Sequence, residues 1–233
     1  MKIAYFLGLS LIDYPGKVAA VVWTVGCNLR CPFCYNPELV LPDRSKSLEL
    51  LDPERVLAEL SERAGFIQGL TITGGEPTLQ GGLLDFVTEA KKLRLEVKLD
   101  TNGTNPGVLR ELLEKALVDY VALDIKAPFG RYAEFTGLPW DKAAEVVAEV
   151  KRSMELVRER APTYELRTTL APGLTPDDIR EIRREIGAAP YFLQRFIVPK
   201  GKGLVGLLPP TATALGASEI KLLAAELSCS YRL

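Results

Sequence analysis

Histidine does not occur anywhere in the 233 residues. Zinc sites commonly recruit it and take four protein ligands arranged in close pairs, so a structural zinc site would have to be assembled from cysteine alone. Cysteine is nearly as scarce. Of the 4 present, three crowd together at Cys27, Cys31 and Cys34, and the last is the distant Cys229. A chain of this size builds a core without staples, and a local trio leaves one thiol over, so a disulfide framework is excluded. Charge of one sign is lacking too: 29 basic against 30 acidic residues give a formal charge of −1. With the two signs interspersed there is no electrostatic case for nucleic acid or an anionic membrane as a partner. The stretch Met1–Gly8 has one basic residue and a short apolar run, without a small-residue cleavage site or the length of a membrane span. A cytoplasmic protein is expected. Amides are few, 4 Asn and 3 Gln beside abundant Glu, Arg and Leu, a lean towards a thermophile. No linker, internal repeat or low-complexity tract interrupts the chain, so residues 1–233 are expected to form one domain.

What is present is concentrated. Cys27-Asn28-Leu29-Arg30-Cys31-Pro32-Phe33-Cys34 spaces its thiols C-x3-C-x2-C, directly after the apolar run Val18–Val25. Three thiolates can hold three irons of a [4Fe–4S] cluster and leave the fourth open to an outside ligand. A non-catalytic zinc or iron module is the alternative, with Cys229 as its fourth ligand; near the end of the last helix, that residue reads better as a small buried hydrophobe. Thiolates of this kind call for a reducing, low-oxygen setting.

Beyond the cysteines the pattern alternates. Strands are expected at Val18–Val25, Gly69–Thr73, Glu96–Thr101, Tyr120–Ile125, Glu165–Leu170 and Phe192–Val198. Helical periods at Pro53–Ala64, Gly82–Leu93, Pro106–Lys115, Lys142–Arg160, Pro176–Ile186 and Ser218–Leu227 separate or follow them. Six such units predict an α/β fold with parallel strands, either an open doubly wound sheet or a barrel or partial barrel. In both, the loops at the C-terminal strand ends build the site. Polar groups gather at those ends: the cysteine loop, then Gly74-Gly75-Glu76-Pro77, then Asp100-Thr101-Asn102-Gly103, then Asp124 with Lys126, then Arg167 and Gln194. The two glycines let backbone approach a ligand closely. The Asp-Thr-Asn end suits ribose hydroxyls or a cation. An inward Asp124/Lys126 pair is costly unless paired or liganded. Trp23 is expected in the core and Trp140 packed at the start of the fourth helix.

These motifs resemble the radical S-adenosylmethionine superfamily, whose C-x3-C-x-aromatic-C signature corresponds to Cys27, Cys31, Phe33 and Cys34, and whose Gly-Gly-Glu-Pro motif corresponds to residues 74–77. The resemblance covers nearly the whole chain. The segment Asp13-Tyr14-Pro15-Gly16-Lys17, the Asp-Thr-Asn-Gly turn, Leu123-Asp124-Ile125-Lys126 and Tyr132-x3-Thr136-Gly137 resemble the glycyl-radical-enzyme activating branch, in particular the compact activating proteins of anaerobic ribonucleotide reductase. The resemblance implies a partial (β/α)6 barrel of the TIM type. It implies a [4Fe–4S] cluster, S-adenosylmethionine chelated at the open iron, an external one-electron donor, and reductive cleavage to a 5′-deoxyadenosyl radical that takes hydrogen from a glycine of a partner enzyme. By the same resemblance Cys27, Cys31 and Cys34 bind iron, Phe33 lies beside adenine, and Gly74, Gly75 and Glu76 meet the methionine amino group. Lys126 and Arg167 neutralise its carboxylate, while Asn102 and Gln194 complete the cofactor set. Asp100, Thr101, Asp124 and the Ala122 carbonyl match a monovalent-cation site.

The sequence departs from that pattern where histidine is missing: Tyr35 stands in a Cys-His-Asn position and Gln194 where the last strand often has His. Ribose contacts and substrate therefore do not follow. A small-molecule radical enzyme like the 7-carboxy-7-deazaguanine synthases is the alternative. For a protein partner, Pro128–Pro139 and Pro199–Thr213 are expected on the rim, one or both docking the glycine loop.

Overall fold

The computed structural model describes residues 1–208 and 212–233. Among the described residues, eight strands run β1 (Ile3–Ser10), β2 (Ala19–Thr24), β3 (Gly69–Gly74), β4 (Glu96–Thr101), β5 (Tyr120–Asp124), β6 (Thr163–Leu170), β7 (Tyr191–Arg195) and β8 (Ser230–Arg232). The helices are α1 (Pro37–Val40), α2 (Pro42–Ser45), α3 (Pro53–Arg63), α4 (Leu83–Lys92), α5 (Pro106–Glu114), α6 (Tyr132–Thr136), α7 (Trp140–Arg160), α8 (Pro176–Ile186) and α9 (Ala217–Glu226). The strands lie in chain order in a single sheet. β1 is antiparallel to β2, and every later neighbour is parallel. β1 and β8 remain the two edges, so the sheet does not close. This is a partial (β/α)6 barrel, β2 to β7, with one antiparallel strand, β1, added to its first edge and one short parallel strand, β8, to its last.

The alternation within strands decides what faces where. Ala20 and Val22, Leu70 and Ile72, Val97 and Leu99, Val121 and Leu123 are buried in the main hydrophobic cluster with the helices. Their neighbours at odd steps, including Lys98, Asp100, Asp124, Arg167 and Gln194, line the concave face. The helices supply matching apolar stripes. In α8 the Thr175 side chain caps the first turn in a reciprocal box with Asp178, and Ile179, Ile182 and Ile186 are fully buried at i, i+3 and i+7. Each such side chain contributes roughly 1.5–3 kcal/mol by leaving water.

The six expected strands are all present, within a few residues at each end. Phe192–Val198 is shorter than expected, ending at Arg195 ahead of Pro199. Tyr231 and its neighbours form an eighth strand that the sequence pattern does not announce. Among the described residues, no helix is long and apolar enough to cross a membrane.

Candidate active site

β2 ends at Thr24 and hands the chain to the cysteine loop through Gly26, whose φ of 99° is the left-handed conformation that favours glycine. The Gly26 N–H donates to the Leu39 carbonyl (2.7 Å), and its own carbonyl accepts from the Glu76 N–H (2.8 Å). The Gly-Gly-Glu turn is thereby pressed against the loop. A Cβ on Gly75 would lie 2.0 Å from the Gly26 oxygen, and one on Gly74 would lie 2.4 Å from the Thr24 nitrogen. The missing side chains make room for protein backbone, where the sequence suggested room for a ligand.

Glu76 is the bolt between this turn and the next strand end. Its carboxylate is fully buried. One oxygen accepts from the Thr78 N–H (3.0 Å), the Thr78 hydroxyl (2.6 Å) and the Thr101 hydroxyl (2.8 Å), and the other from the Asn102 N–H (2.7 Å). Burial raises its pKa, while these donors pull the other way. Asn102 in turn donates to the Asn28 side chain at 3.0 Å and to the Cys27 sulfur at 3.9 Å.

The thiols line one wall of a cavity of about 330 Å³. Burial pushes Cys27 up to about 11 and Cys31 up to about 12, and raises Cys34 as well. Left neutral they are inert; a bound metal would be needed to hold them as thiolates. Among the described residues, no three His, Cys, Asp or Glu side chains converge closely enough to share a single ion. Three thiols on one loop, with Cys229 outside the cavity lining, fit three corners of a multi-iron group. Cys229 is not among the residues lining the cavity; it packs half-buried against the core beyond α9.

The opposite wall is an ion network on β4, β5 and β6. Arg167 Nε donates to Asp124 (2.9 Å), and Nη1 faces Asp100 (3.4 Å) and Glu165 (3.8 Å). Lys126 Nζ meets the second Asp124 oxygen at 2.9 Å, and Lys98 pairs with Asp100. Glu165, fully buried, accepts two bonds from Arg232 at 2.7 Å each and one from the Tyr120 hydroxyl at 2.7 Å. Burial alone would raise Asp124 and Asp100, but Arg167, with Lys126 on the first and Lys98 on the second, holds both below the usual carboxylate range. Lys126 is raised, because Asp124 outweighs its desolvation. Lys98, Lys126, Arg167 and Arg232 stand against Asp100, Asp124 and Glu165 in the network, with a further acid, Glu76, buried in the same cavity; Lys126 makes a single ion pair and keeps donors for a ligand.

All fourteen site residues expected from the sequence, Gln194 included, line this one cavity. The sequence reading overlooked Lys98, Glu165, Tyr120 and Arg232. Lys98 and Glu165 had a signal: each lies two positions before a residue already singled out, Asp100 and Arg167, and therefore on the same strand face. Trp23, expected in the core, lines the cavity instead. Trp140 is 72% exposed rather than packed.

The two expected rim segments differ. In Pro128–Pro139, Tyr132, Ala133, Phe135 and Thr136 are buried, and α6 braces the cysteine loop. The Thr136 carbonyl accepts from the Arg30 N–H at 2.8 Å, and the Phe135 ring lies 6.5 Å from that of Phe33. Of Pro199–Thr213, residues 209–211 lie outside the described residues. The rest crosses the loop, with Val205 N–H on the Cys34 carbonyl (2.9 Å), Gly206 N–H on the Pro32 carbonyl (3.1 Å) and Leu207 96% exposed.

The cavity is open along one side. β1 register pairs Tyr5 with Trp23 and Leu7 with Val21, so Tyr5 and Leu7 extend the concave face. Together with Leu9, Leu11 and Ile12 they form an exposed apolar wall that ends at the cavity, which Ile12 itself lines.

Comparison with known proteins agrees with this arrangement. Residues 21–186 match the family model described as the Radical SAM superfamily. A Methanocaldococcus jannaschii protein named as a glycyl-radical enzyme activating enzyme is 34% identical over 191 residues, 81% of this chain and 77% of that protein. The pyruvate formate-lyase-activating enzyme of Clostridium pasteurianum is 35% identical over 122 residues, and the match spans 51% of this chain and about half, 49%, of that enzyme. Among solved structures, a radical SAM methyltransferase from Sphaerobacter thermophilus superposes with a TM-score of 0.67 at 15% identity, covering 96% of this chain and 67% of that one. SuiB of Streptococcus suis gives 0.66 at 13%, covering 91% and 48%. At such identities the likeness shows the fold alone.

Proposed function

This chain belongs to the radical S-adenosylmethionine superfamily, and on that premise we propose that it activates a glycyl radical enzyme by removing hydrogen from a glycine of that partner. The partner proposed is the anaerobic ribonucleotide reductase. The observation that carries the reading is the open side of the barrel, where Tyr5, Leu7, Leu9, Leu11 and Ile12 are exposed: such a wall would lead an extended peptide into the cavity, whereas a small polar substrate needs an enclosed pocket. The resemblance to the Methanocaldococcus jannaschii and Clostridium pasteurianum proteins supports it.

The superfamily's [4Fe–4S] cluster and S-adenosylmethionine, when bound and reduced by an external one-electron donor, supply the hydrogen-abstracting radical chemistry. The chain's part is positioning. Cys27, Cys31 and Cys34 would hold the cluster on one wall, and Phe33 the adenine. Lys126, with one ion pair and remaining N–H donors, and Arg167 would take the methionine carboxylate. The Gly74–Glu76 backbone would meet the amino group, with the Glu76 side chain already committed to protein donors. Asn102, Thr101 and Gln194 are left for the nucleoside. The chain would act as one domain, in a reducing, low-oxygen cytoplasm.

For the monovalent cation the ion pairs favour the opposite of the sequence expectation. Lys98 and Arg167 already neutralise Asp100, and Arg167 with Lys126 neutralises Asp124. Exchanging sodium or potassium for a tetraalkylammonium salt at fixed ionic strength should leave cofactor cleavage within about twofold; a tenfold fall would restore the cation.

Deleting Lys200–Leu208 to separate partner activation from cofactor cleavage would also remove the backbone bonds on Cys34 and Pro32. The exposed Leu207 is the cleaner probe. Leu207→Ser should preserve 5′-deoxyadenosine formation and lower partner activation by about tenfold, the effect of losing on the order of 1.4 kcal/mol at an interface; equal loss of both would refute this division. The function itself is tested with a partner carrying α-deuterated glycine. Deuterium recovered in 5′-deoxyadenosine supports the reading. Efficient cleavage without transfer from any glycine would favour a small-molecule substrate.

A further inference from the structure

The ion network ends at Arg232, outside the set that would meet the cofactor. Arg232 stands on β8 in register with Gln194 of β7, so its side chain leaves the same, concave face of the sheet. From there the guanidinium lies 4.3 Å from the centre of the Phe192 ring and reaches Glu165 on β6, giving one N–H to each carboxylate oxygen at 2.7 Å. Phe192 is itself the register partner of Arg167. Two arginines therefore flank one fully buried acid.

They share it unequally. Arg232 holds both oxygens in a bidentate pair, the strongest geometry a guanidinium makes with a carboxylate. Arg167 Nη1 is left 3.8 Å from the nearer oxygen, too far for a hydrogen bond. Its Nε is engaged by Asp124 and its Nη1 faces Asp100. Nη2 has no hydrogen-bond acceptor among the described residues, and Arg167 lines the cavity. Without Arg232, Glu165 would be a buried carboxylate held by the Tyr120 hydroxyl alone, with Arg167 as its nearest cation. An unpaired buried charge is strongly unfavourable, so the two groups would close that gap and Arg167 would be drawn away from the cavity.

We propose that Arg232 is a positioning residue: by occupying both oxygens of Glu165 it keeps Arg167 available to a carboxylate in the cavity. The proposal rests on the reading that Arg167 takes the methionine carboxylate of S-adenosylmethionine. Glu165 is an internal competitor for the binding arginine, and Arg232 silences it without touching the ligand.

The test is a double-mutant cycle on the reconstituted protein, with S-adenosylmethionine affinity read by anaerobic equilibrium dialysis and stability by denaturant midpoints of the metal-free protein. Arg232→Met should weaken binding about tenfold, a coupling of ordinary size for groups in one network. Glu165→Gln should tighten binding about threefold by removing the competitor, although it strips Arg232 of its partner and lowers the denaturant midpoint. The double variant, which removes one charge of each sign, should bind within about twofold of wild type. A purely structural role predicts instead that affinity falls with stability in both single variants. Should the methionine variant misfold, the direction of the Glu165→Gln change decides. Equal affinity in all four proteins, or parallel loss of affinity in the two single variants, would overturn the role of Arg232. A wild type that carries a cluster but does not bind S-adenosylmethionine, or whose affinity is unmoved by Arg167→Met, would overturn the reading beneath it instead.

Discussion

Cys31→Ala should yield a folded protein that neither retains a reconstituted cluster nor forms 5′-deoxyadenosine above the level without enzyme. Iron and sulfide analysis, chromatography of the nucleoside products and circular dichroism are the measurements. The folding cost should be small, about 1 kcal/mol, because the change removes one buried atom with no donor on it. The functional cost should be total, because two thiolates cannot keep three irons of a site that already leaves the fourth open. Cys27→Ala and Cys34→Ala should behave alike. Cys229→Ala should lose nothing, since that thiol is remote from the cavity. Any dependence of cluster content on Cys229 would return the four-cysteine alternative to consideration.

Arg167→Met should destabilise the fold by about 3–5 kcal/mol, the usual result of removing one partner from a buried charge network, and should abolish binding of the methionine carboxylate. Its guanidinium, 7% exposed, ties Asp100, Asp124 and Glu165 together across β4, β5 and β6. The change also has a pH signature. Asp100 and Asp124 titrate below the ordinary range in the folded protein, so their stabilisation is complete above the unfolded carboxylate value of about 3.9 and is lost as pH falls through their folded values. Wild type should therefore lose stability steeply below about pH 4. The variant, with both carboxylates moved back towards ordinary values, should lose less between pH 4 and pH 2. Denaturant midpoints at pH 7, 4 and 3 for the two proteins measure both effects; an unchanged midpoint at pH 7 would show that the network is not what holds these strands together.

The ease with which different parts could be read has physical causes. β2 to β7 are short, mostly apolar runs punctuated by Gly, Pro and Asn-Gly turns, as expected of parallel strands buried on both faces. The cysteine spacing and the Gly-Gly-Glu turn are local, so their chemistry can be read without the fold. Lys98 and Glu165 escaped as single charged residues inside apolar strands, although i, i+2 spacing ties them to Asp100 and Arg167. Arg232 could not be found that way: β8 is only three residues long, and its place beside β7 is set by α9 returning the chain. Pro128–Pro139 looks like a loop from its Pro and Gly content, yet Tyr132 and Phe135 are buried, with Phe135 beside Phe33 of the cysteine loop. Composition cannot distinguish an apolar segment that meets a partner from one that meets its own chain.

The most direct test of the central claim is anaerobic reconstitution with iron and sulfide, reduction, and addition of S-adenosylmethionine. Three cysteines holding a cluster with one open iron predict a four-iron spectrum that changes when S-adenosylmethionine is added, followed by 5′-deoxyadenosine and methionine in equal amounts. A demonstrable, fully reduced cluster that leaves S-adenosylmethionine intact would contradict the account.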